Sequence, residues 1–325
     1  MKAKPFLKWA GGKSQLLEQL DKYYPKELQK GKIKQYVEPF LGGGAVFFEI
    51  SQRFQIEKAY LSDVNPDLVL AYRIVQQKPQ ELIKLLRNYQ KQYDETPQEM
   101  RNDLFTSIRK QYNLQKKSIN YQEINEENVL RTALLIFLNK TCFNGLFRLN
   151  SKGEFNVPYG KYPTTMICDE INVWAVSKKL EKAEIHHADY ASCFDKIDED
   201  SFVYFDPPYK PISESASFTT YTGAVFSDKE QLELAQFFKK IDKEKGAKLM
   251  LSNSDVRQAN PENQFFDEIY KEYSIFRVSA NRAINCKGTK RGKIKEILIT
   301  NYAYEPQSLE LCFKKTGSSK VITER

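Results

Sequence analysis

Short apolar runs rich in β-branched and aromatic residues recur along the chain, and four of them end at a carboxylate. "QYVEPF" reaches Glu38, "KAYLSD" reaches Asp63, "AEIHHAD" reaches Asp189 and "FVYFD" reaches Asp206. Runs of this length and composition predict buried strands. Between the first two, "GGGAVFFEISQRF" repeats Phe47, Phe48, Ile50 and Phe54 near helical spacing. After Asp63, "VNPDLVLAYRIVQ" offers Asn65 as an N-cap and Pro66 at the first helical position. "SDKEQLELAQFFKKI" predicts an amphipathic helix, followed by the strands "AKLMLSN" and, later, "KEILITNY". Strands alternating with helices predict an α/β fold with a mostly parallel sheet, whose ligand sits outside the carboxyl ends of the strands. Four acids at four strand ends would then line one rim.

The alternation stops over 76–166. Three helical stretches ("PQELIKLLRNYQKQY", "PQEMRNDLFTSIRKQYN" and "EENVLRTALLIFLNK") are followed by "TCFNGLFRLNSKGEFNVPYGKY". The latter reads as a β-hairpin, "LFRLN" against "EFNVP", turned by Ser151, Lys152 and Gly153. The expected organisation is a catalytic domain in two parts, 1–75 and 167–305, split by an inserted domain at 76–166. A poorly ordered tail follows at 306–325.

Composition narrows the class. The 325 residues are 41% hydrophobic and 13% aromatic, as in a globular protein, and no run approaches the ~18 apolar residues of a membrane span. No apolar signal segment opens the chain. Five cysteines, scattered and never paired as CxxC, argue against a disulfide framework or a zinc site and for a reducing, cytoplasmic setting. With two histidines, metal and His-based chemistry have little to work with. The net charge of +8 is compatible with nucleic acid. Its placement in "NCKGTKRGKIK", which carries Lys287, Lys290, Arg291, Lys293 and Lys295 without an acid, suggests either a solvated loop or phosphate contact.

"VEPFLGGGAVF" is a strand, a glycine-rich turn and a helix, the arrangement that lets backbone approach an anionic ligand. Asp63 ends the next strand 19 residues after Gly44, where an acid can accept both hydroxyls of a ribose. A nucleoside-containing cofactor is expected. The dinucleotide pattern fails because Phe47 stands where its third glycine belongs, and "AGGK" lacks the phosphate-loop spacing. S-adenosylmethionine fits the same geometry. A second loop, Trp9 to Lys13, sets an indole beside two glycines, suited to covering a flat ligand.

"DPPY", Asp206 to Tyr209, reads in isolation as a strand stop. Beside a methyl donor at Gly42 to Gly44 it becomes an amine clamp. An exocyclic amino nitrogen is a poor nucleophile, since its lone pair is delocalised into the ring. Asp206 can accept one of its N–H groups and the Pro207 carbonyl the other, drawing the nitrogen towards tetrahedral geometry. Proline's fixed φ pins that carbonyl. Tyr209 can stack on the base, which must be flipped from a duplex to arrive.

In the order "KWAGGK" (8 to 13), "EPFLGGG" (38 to 44), insertion and "DPPY" (206 to 209), the chain resembles the Dam-type (D12 class, α-group) DNA adenine N6-methyltransferases over about residues 4 to 303. Glu38 replaces the aspartate of many members and keeps the carboxylate. The resemblance implies a Rossmann-like class I methyltransferase sheet with an inserted, mainly helical target-recognition domain carrying a β-hairpin. It implies Trp9, Ala10, Gly11, Lys13, Phe40, Gly42, Gly44, Asp63, Asp189 and Asp206 around S-adenosylmethionine, with Asp206, Pro207 and Tyr209 catalytic. Lys8 would face a guanine at the target's edge. Leu146, Arg148, Pro158 and Tyr162 would read bases, as in GATC-specific members, and Phe143 and Asn144 would wedge into the duplex. The physics agrees: Arg suits guanine's two acceptors, apolar groups the thymine methyl, and an aromatic a vacated stack. Ser217 and Tyr221 would hold the target strand, and Lys290 and Arg291 its phosphates. Double-stranded DNA is the expected partner, and a cognate restriction endonuclease a candidate one. Competing readings are an RNA adenine N6-methyltransferase, a DNA-binding module with a dead cofactor pocket, and a dehydrogenase.

Overall fold

The computed structural model describes residues 2–211, 226–281 and 293–304. Among these residues seven strands form one sheet: β1 (Gln35–Glu38), β2 (Lys58–Asp63), β3 (Ala183–His187), β4 (Ser201–Phe205), β5 (Lys248–Ser254), β6 (Ser274–Asn281) and β7 (Lys293–Thr300). Their order is β3-β2-β1-β4-β5-β7-β6; β1 to β5 run parallel, and β7 lies antiparallel between β5 and β6. Every residue of β1 and β4 is buried, as central strands covered on both faces require. Chain order reverses between β1 and β4, which makes their carboxyl ends the topological switch point.

Among the described residues, ten α-helices surround the sheet and extend from it: α1 (Leu17–Leu20), α2 (Lys26–Gln29), α3 (Ala45–Arg53), α4 (Pro66–Gln77), α5 (Pro79–Glu95), α6 (Arg101–Gln115), α7 (Glu126–Thr141), α8 (Glu170–Leu180), α9 (Asp228–Lys245) and α10 (Phe265–Ile269). The Asn65 cap foreseen in the sequence is present, and the structure adds another at α9. Asn65 Oδ1 accepts the N–H groups of Asp67 and Leu68, with Pro66 opening α4. Ser227 and Glu230 form a capping box at α9, which ends on left-handed Gly246. Besides the short helices α1, α2 and α10, two longer elements escaped the sequence pattern. In α8, Ile171 and Trp174 face outward at 60% and 46% exposure, so its apolar residues do not mark one buried face. In β6, an outer strand, Arg277 interrupts the apolar run and pairs with Asp267 and Asp255.

Residues 79–141 carry the three helices expected of the insertion. α7 is buried almost all round and packs on α4, α5 and α6, so the insertion shares one hydrophobic core with the sheet's covering helices. A buried ion pair, Arg131 Nε to Asp67 Oδ1 at 2.6 Å, ties α7 to the first turn of α4. The expected hairpin is corrected in one respect. Residues 142–159 double back antiparallel, but isolated bridges, Cys142 with Tyr159 and Leu149 with Phe155, replace paired strands. Two cross-strand bonds, Asn150 N–H to the Glu154 carbonyl and Asn156 N–H to the Arg148 carbonyl, make the Leu149–Phe155 bridge, and side chains satisfy the neighbouring backbone groups. Asn113 on α6 takes both the N–H and the C=O of Phe155, and Asn150 Oδ1 takes the N–H groups of Lys152 and Glu154. The tail expected at 306–325 lies outside the described residues.

Candidate active site

The four rim acids follow adjacent strands in the spatial order Asp189, Asp63, Glu38, Asp206. Glu38 is enclosed, accepting the Tyr36 hydroxyl at 2.9 Å; burial, reinforced by nearby Asp206, pushes its carboxyl well above the usual carboxylate range. Asp63 is half-buried and braces the glycine turn. Its Oδ2 accepts the Gly42 N–H at 3.0 Å and its Oδ1 the Asn65 N–H at 2.9 Å. Burial raises its pKa, against the pull of those two bonds. The turn requires glycine at position 44, where φ is +66° and a Cβ would stand 2.6 Å from the Tyr72 hydroxyl. Trp9 closes over the turn, with its Cδ1 at 3.2 Å from where a Cβ on Gly42 would be, and stacks on Phe147 at 5.3 Å. Phe40 stacks on Tyr190 at 5.5 Å, beside the strand end. Asp189 is exposed and caps the 3-10 helix Tyr190–Lys196 through the Ala191 N–H. Ala10 and Gly11 are exposed, Gly11 with φ +76°.

The second half of the site is the corner after β4. Pro207 is buried and Asp206 is half-buried. Lys13 is only 3% exposed, and its ammonium lies 2.6 and 2.8 Å from the two oxygens of Asp206. It also lies 4.5 Å from the centre of the Tyr209 ring. Ser252 Oγ donates to Asp206 Oδ1 at 3.2 Å. Burial raises the Asp206 pKa, and Lys13 and Ser252 hold it down. The backbone beyond is fixed from β5 and α9: Asn253 Oδ1 accepts the Lys210 N–H and Gln231 donates to the Pro208 carbonyl. Tyr209 donates its hydroxyl to Glu296 Oε2 at 2.6 Å.

A third group lies around the turn after α7. Phe143 is 42% exposed and Asn144 takes a left-handed φ of 55°. Tyr162 does not present a free hydroxyl: it accepts the Asn144 N–H at 2.9 Å, and the Lys8 ammonium lies 5.1 Å from its ring centre. Phe143 N–H donates to the Pro158 carbonyl. Arg148 and Pro158 are exposed and Leu146 is half-buried; Arg148 Nε donates to Asn156 Oδ1 at 2.8 Å. Ser217, Tyr221, Lys290 and Arg291 lie outside the described residues.

A glycine loop braced by Asp63 at one side of the switch point and a DPPY corner at the other are the parts of an amine methyltransferase. Residues 9–284 match the family model of D12 class N6 adenine-specific DNA methyltransferases. The chain belongs to that family. It is 46% identical over 304 residues, 93% of this chain and 100% of the other, to the type II methyltransferase M.MjaIII of Methanocaldococcus jannaschii. It is 38% identical to the type II methyltransferase M1.LlaDCHI of Lactococcus lactis, covering 92% of this chain and 95% of that one. To the DNA adenine methylase of Escherichia coli K12 it is 31% identical, covering 91% and 95%. The protein is therefore a DNA adenine N6-methyltransferase with the class I sheet expected of it, and the RNA and dehydrogenase readings are set aside.

In this methyltransferase four side chains around the DPPY corner went unread in the sequence. Ser252, Asn253, Glu296 and Gln231 sit on β5, β7 and α9, and nothing near them in sequence marks them as neighbours of residues 206–210. Glu296 has a measurable consequence. A hydrogen bond to a charged acceptor contributes about 1.5–3 kcal/mol. Tyr209→Phe, which keeps the ring but not the hydroxyl, is therefore expected to lower kcat by roughly 10- to 150-fold. Glu296→Ala should match it, and the double variant should be no worse than either, because both remove one bond. Additive losses in single-turnover rates would separate Glu296 from the ring. Among the described residues, no helix of the methyltransferase is long and apolar enough to cross a membrane. Nor does any group of three or more His, Cys, Asp and Glu stand where it could hold a metal ion.

Proposed function

We propose that the protein transfers a methyl group from S-adenosylmethionine to N6 of an adenine flipped out of duplex DNA, within GATC. The single observation that carries this reading is the Asp206 carboxylate held between Lys13 and Ser252, beside the Tyr209 ring. The cofactor fits the residues present. Two left-handed glycines, the start of α3 and an acid at the end of β2 are a cradle for a nucleoside with an amino-acid tail. Asp63 would hold the ribose, Trp9, Ala10 and Gly11 one face, Phe40 and Asp189 the region of the base, and Gly42 and Gly44 the amino-acid end. When bound, the cofactor supplies the methyl group. Asp206 then accepts one N–H of the amine, the Pro207 carbonyl the other, and Tyr209 stacks on the ring. Lys13, which meets Asp206 as well as the cofactor loop, keeps the carboxylate ionised and able to accept.

Residues 76–166 act in this reading as the target-recognition part. Phe143 and Asn144 wedge into the vacated stack, Lys8 and Arg148 face guanines, and Leu146, Pro158 and Tyr162 complete the reading surface, with Tyr162 acting through the Asn144 backbone. Ser217 and Tyr221 hold the target strand, and Lys290 and Arg291 contact phosphates. The type II names of two relatives support a cognate restriction endonuclease as a partner. The test is methyl transfer from labelled S-adenosylmethionine to defined duplexes, with nucleoside analysis for N6-methyladenine. A panel carrying each single change from GATC tests the site: another preferred sequence sinks GATC and leaves the chemistry standing. On that panel Arg148→Ala should relax preference at one position by about 1–3 kcal/mol. Lys290→Ala and Arg291→Ala should weaken all duplexes alike and flatten the salt dependence. If Arg148→Ala behaves as they do, Arg148 holds backbone.

A further inference from the structure

We propose that Asn139 is a positioning residue for target discrimination: it locks Lys8 onto the Phe143–Gly145 turn, so that two DNA-facing elements far apart in the chain read the target as one unit. This rests on the assignment of Lys8 and that turn to the DNA face. Asn139 lies in the last turn of α7 and is wholly buried. Its Oδ1 accepts the Lys8 N–H at 2.8 Å, and its Nδ2 donates to the Lys8 carbonyl at 2.8 Å and to the Gly145 carbonyl at 2.9 Å. One amide thus satisfies both backbone groups of residue 8, as a neighbouring strand would, and fixes that residue in position and rotation. The amide's orientation is dictated by its partners, since the reverse would set its oxygen against two carbonyls.

The turn is shaped to receive Lys8. Gly145 has φ +64°, and a Cβ there would lie 2.3 Å from Lys8 Cδ and 2.6 Å from Lys8 Cβ. The stem of Lys8 therefore lies directly on bare backbone, which delivers its ammonium to the Tyr162 ring. The Tyr162 hydroxyl in turn holds the Asn144 N–H. Lys8, Asn144 and Tyr162 form one connected set, and Asn139 is the buried group that joins its two chain segments.

A purely structural amide would, when removed, weaken methylation of every duplex alike. A positioning amide removes discrimination where Lys8 acts. Asn139→Ala, Lys8→Ala and the double variant, each checked for folding by circular dichroism, are to be compared by kcat/KM on the preferred duplex and on duplexes changed at one base pair. Asn139→Ala is expected to lose about tenfold in discrimination at the position relaxed by Lys8→Ala, the size of one base contact. At that position the double variant should discriminate no worse than Lys8→Ala. A uniform loss across the panel, or a double variant worse than Lys8→Ala at that position, overturns the proposal. If Asn139→Ala does not fold, Gly145→Ala displaces the Lys8 stem from the opposite side and is expected to give the same position-specific loss. Unchanged discrimination in that variant overturns the proposal as well. Lys8→Ala discriminating as wild type does would overturn the assignment of Lys8 itself, a result distinguishable from failure of the Asn139 link.

Discussion

Asp206→Asn is expected to bind duplex DNA and yet lose methyl transfer by about 10²–10³ in kcat, the usual cost of removing one group that stabilises charge developing in the transition state. In the proposed reaction the carboxylate would accept an N–H most strongly as positive charge grows on the amine, and a neutral amide would do so far less well. Asn is preferred to Ala because, although both remove the charge, it keeps the side chain's volume and an amide oxygen that can still accept from the buried Lys13 ammonium. Single-turnover rates with saturating duplex decide the matter, and near-wild-type turnover would sink the clamp. Lys13→Met makes a companion test with a defined sign. Burial already raises the Asp206 pKa and Lys13 opposes that rise. Removing the cation raises it further, so less carboxylate is ionised at a given pH. The acid limb of the kcat/KM profile should therefore move to higher pH. An unmoved limb would mean that Asp206 does not titrate in the step observed.

On the proposed reading, Asp63→Ala should weaken S-adenosylmethionine binding by roughly 10- to 150-fold, since two ribose hydroxyls would lose a charged acceptor worth about 1.5–3 kcal/mol. The structure adds a second route to the same loss. Asp63 already spends one bond on the Gly42 N–H, so its removal also frees the glycine turn. Asp63→Asn separates the two, because the amide oxygen can still accept one backbone N–H while the negative charge is gone. Titration calorimetry on folded protein measures both. Equal affinity in Asp63→Ala would reduce Asp63 to a brace for the turn and for Asn65 at the start of α4.

Much of this site was legible because it is built from contiguous chain. A glycine loop needs its glycines in succession, and "LGGG" places left-handed φ at 42 and 44 where backbone must fold tightly beside Tyr72. "DPPY" likewise puts carboxylate, carbonyl and ring on one strand end. Strand periodicity together with the acids at the ends of β1, β2, β3 and β4 identified the rim before any contact was known. Hydrophobic runs carried the parallel sheet, since buried strands must be apolar on both faces. They failed for α8 and β6, whose outward-facing Trp174 and Arg277 break the pattern.

Tertiary structure alone decided which distant side chains complete each local motif. Lys13 meets Asp206 across 193 residues, Tyr209 finds Glu296 on β7, and Asn139 holds Lys8. No pattern in sequence encodes such pairs, because a buried charge or amide is satisfied by whatever group the fold brings within about 3 Å. The hairpin shows the same limit in reverse. Its segments had the right residues, but the pairing stops at isolated bridges, Asn150 Oδ1 takes the Glu154 N–H, and Asn113 on α6 holds the outward-facing backbone of Phe155. Sequence determined the chemistry available at each strand end; packing determined which partners hold it in place.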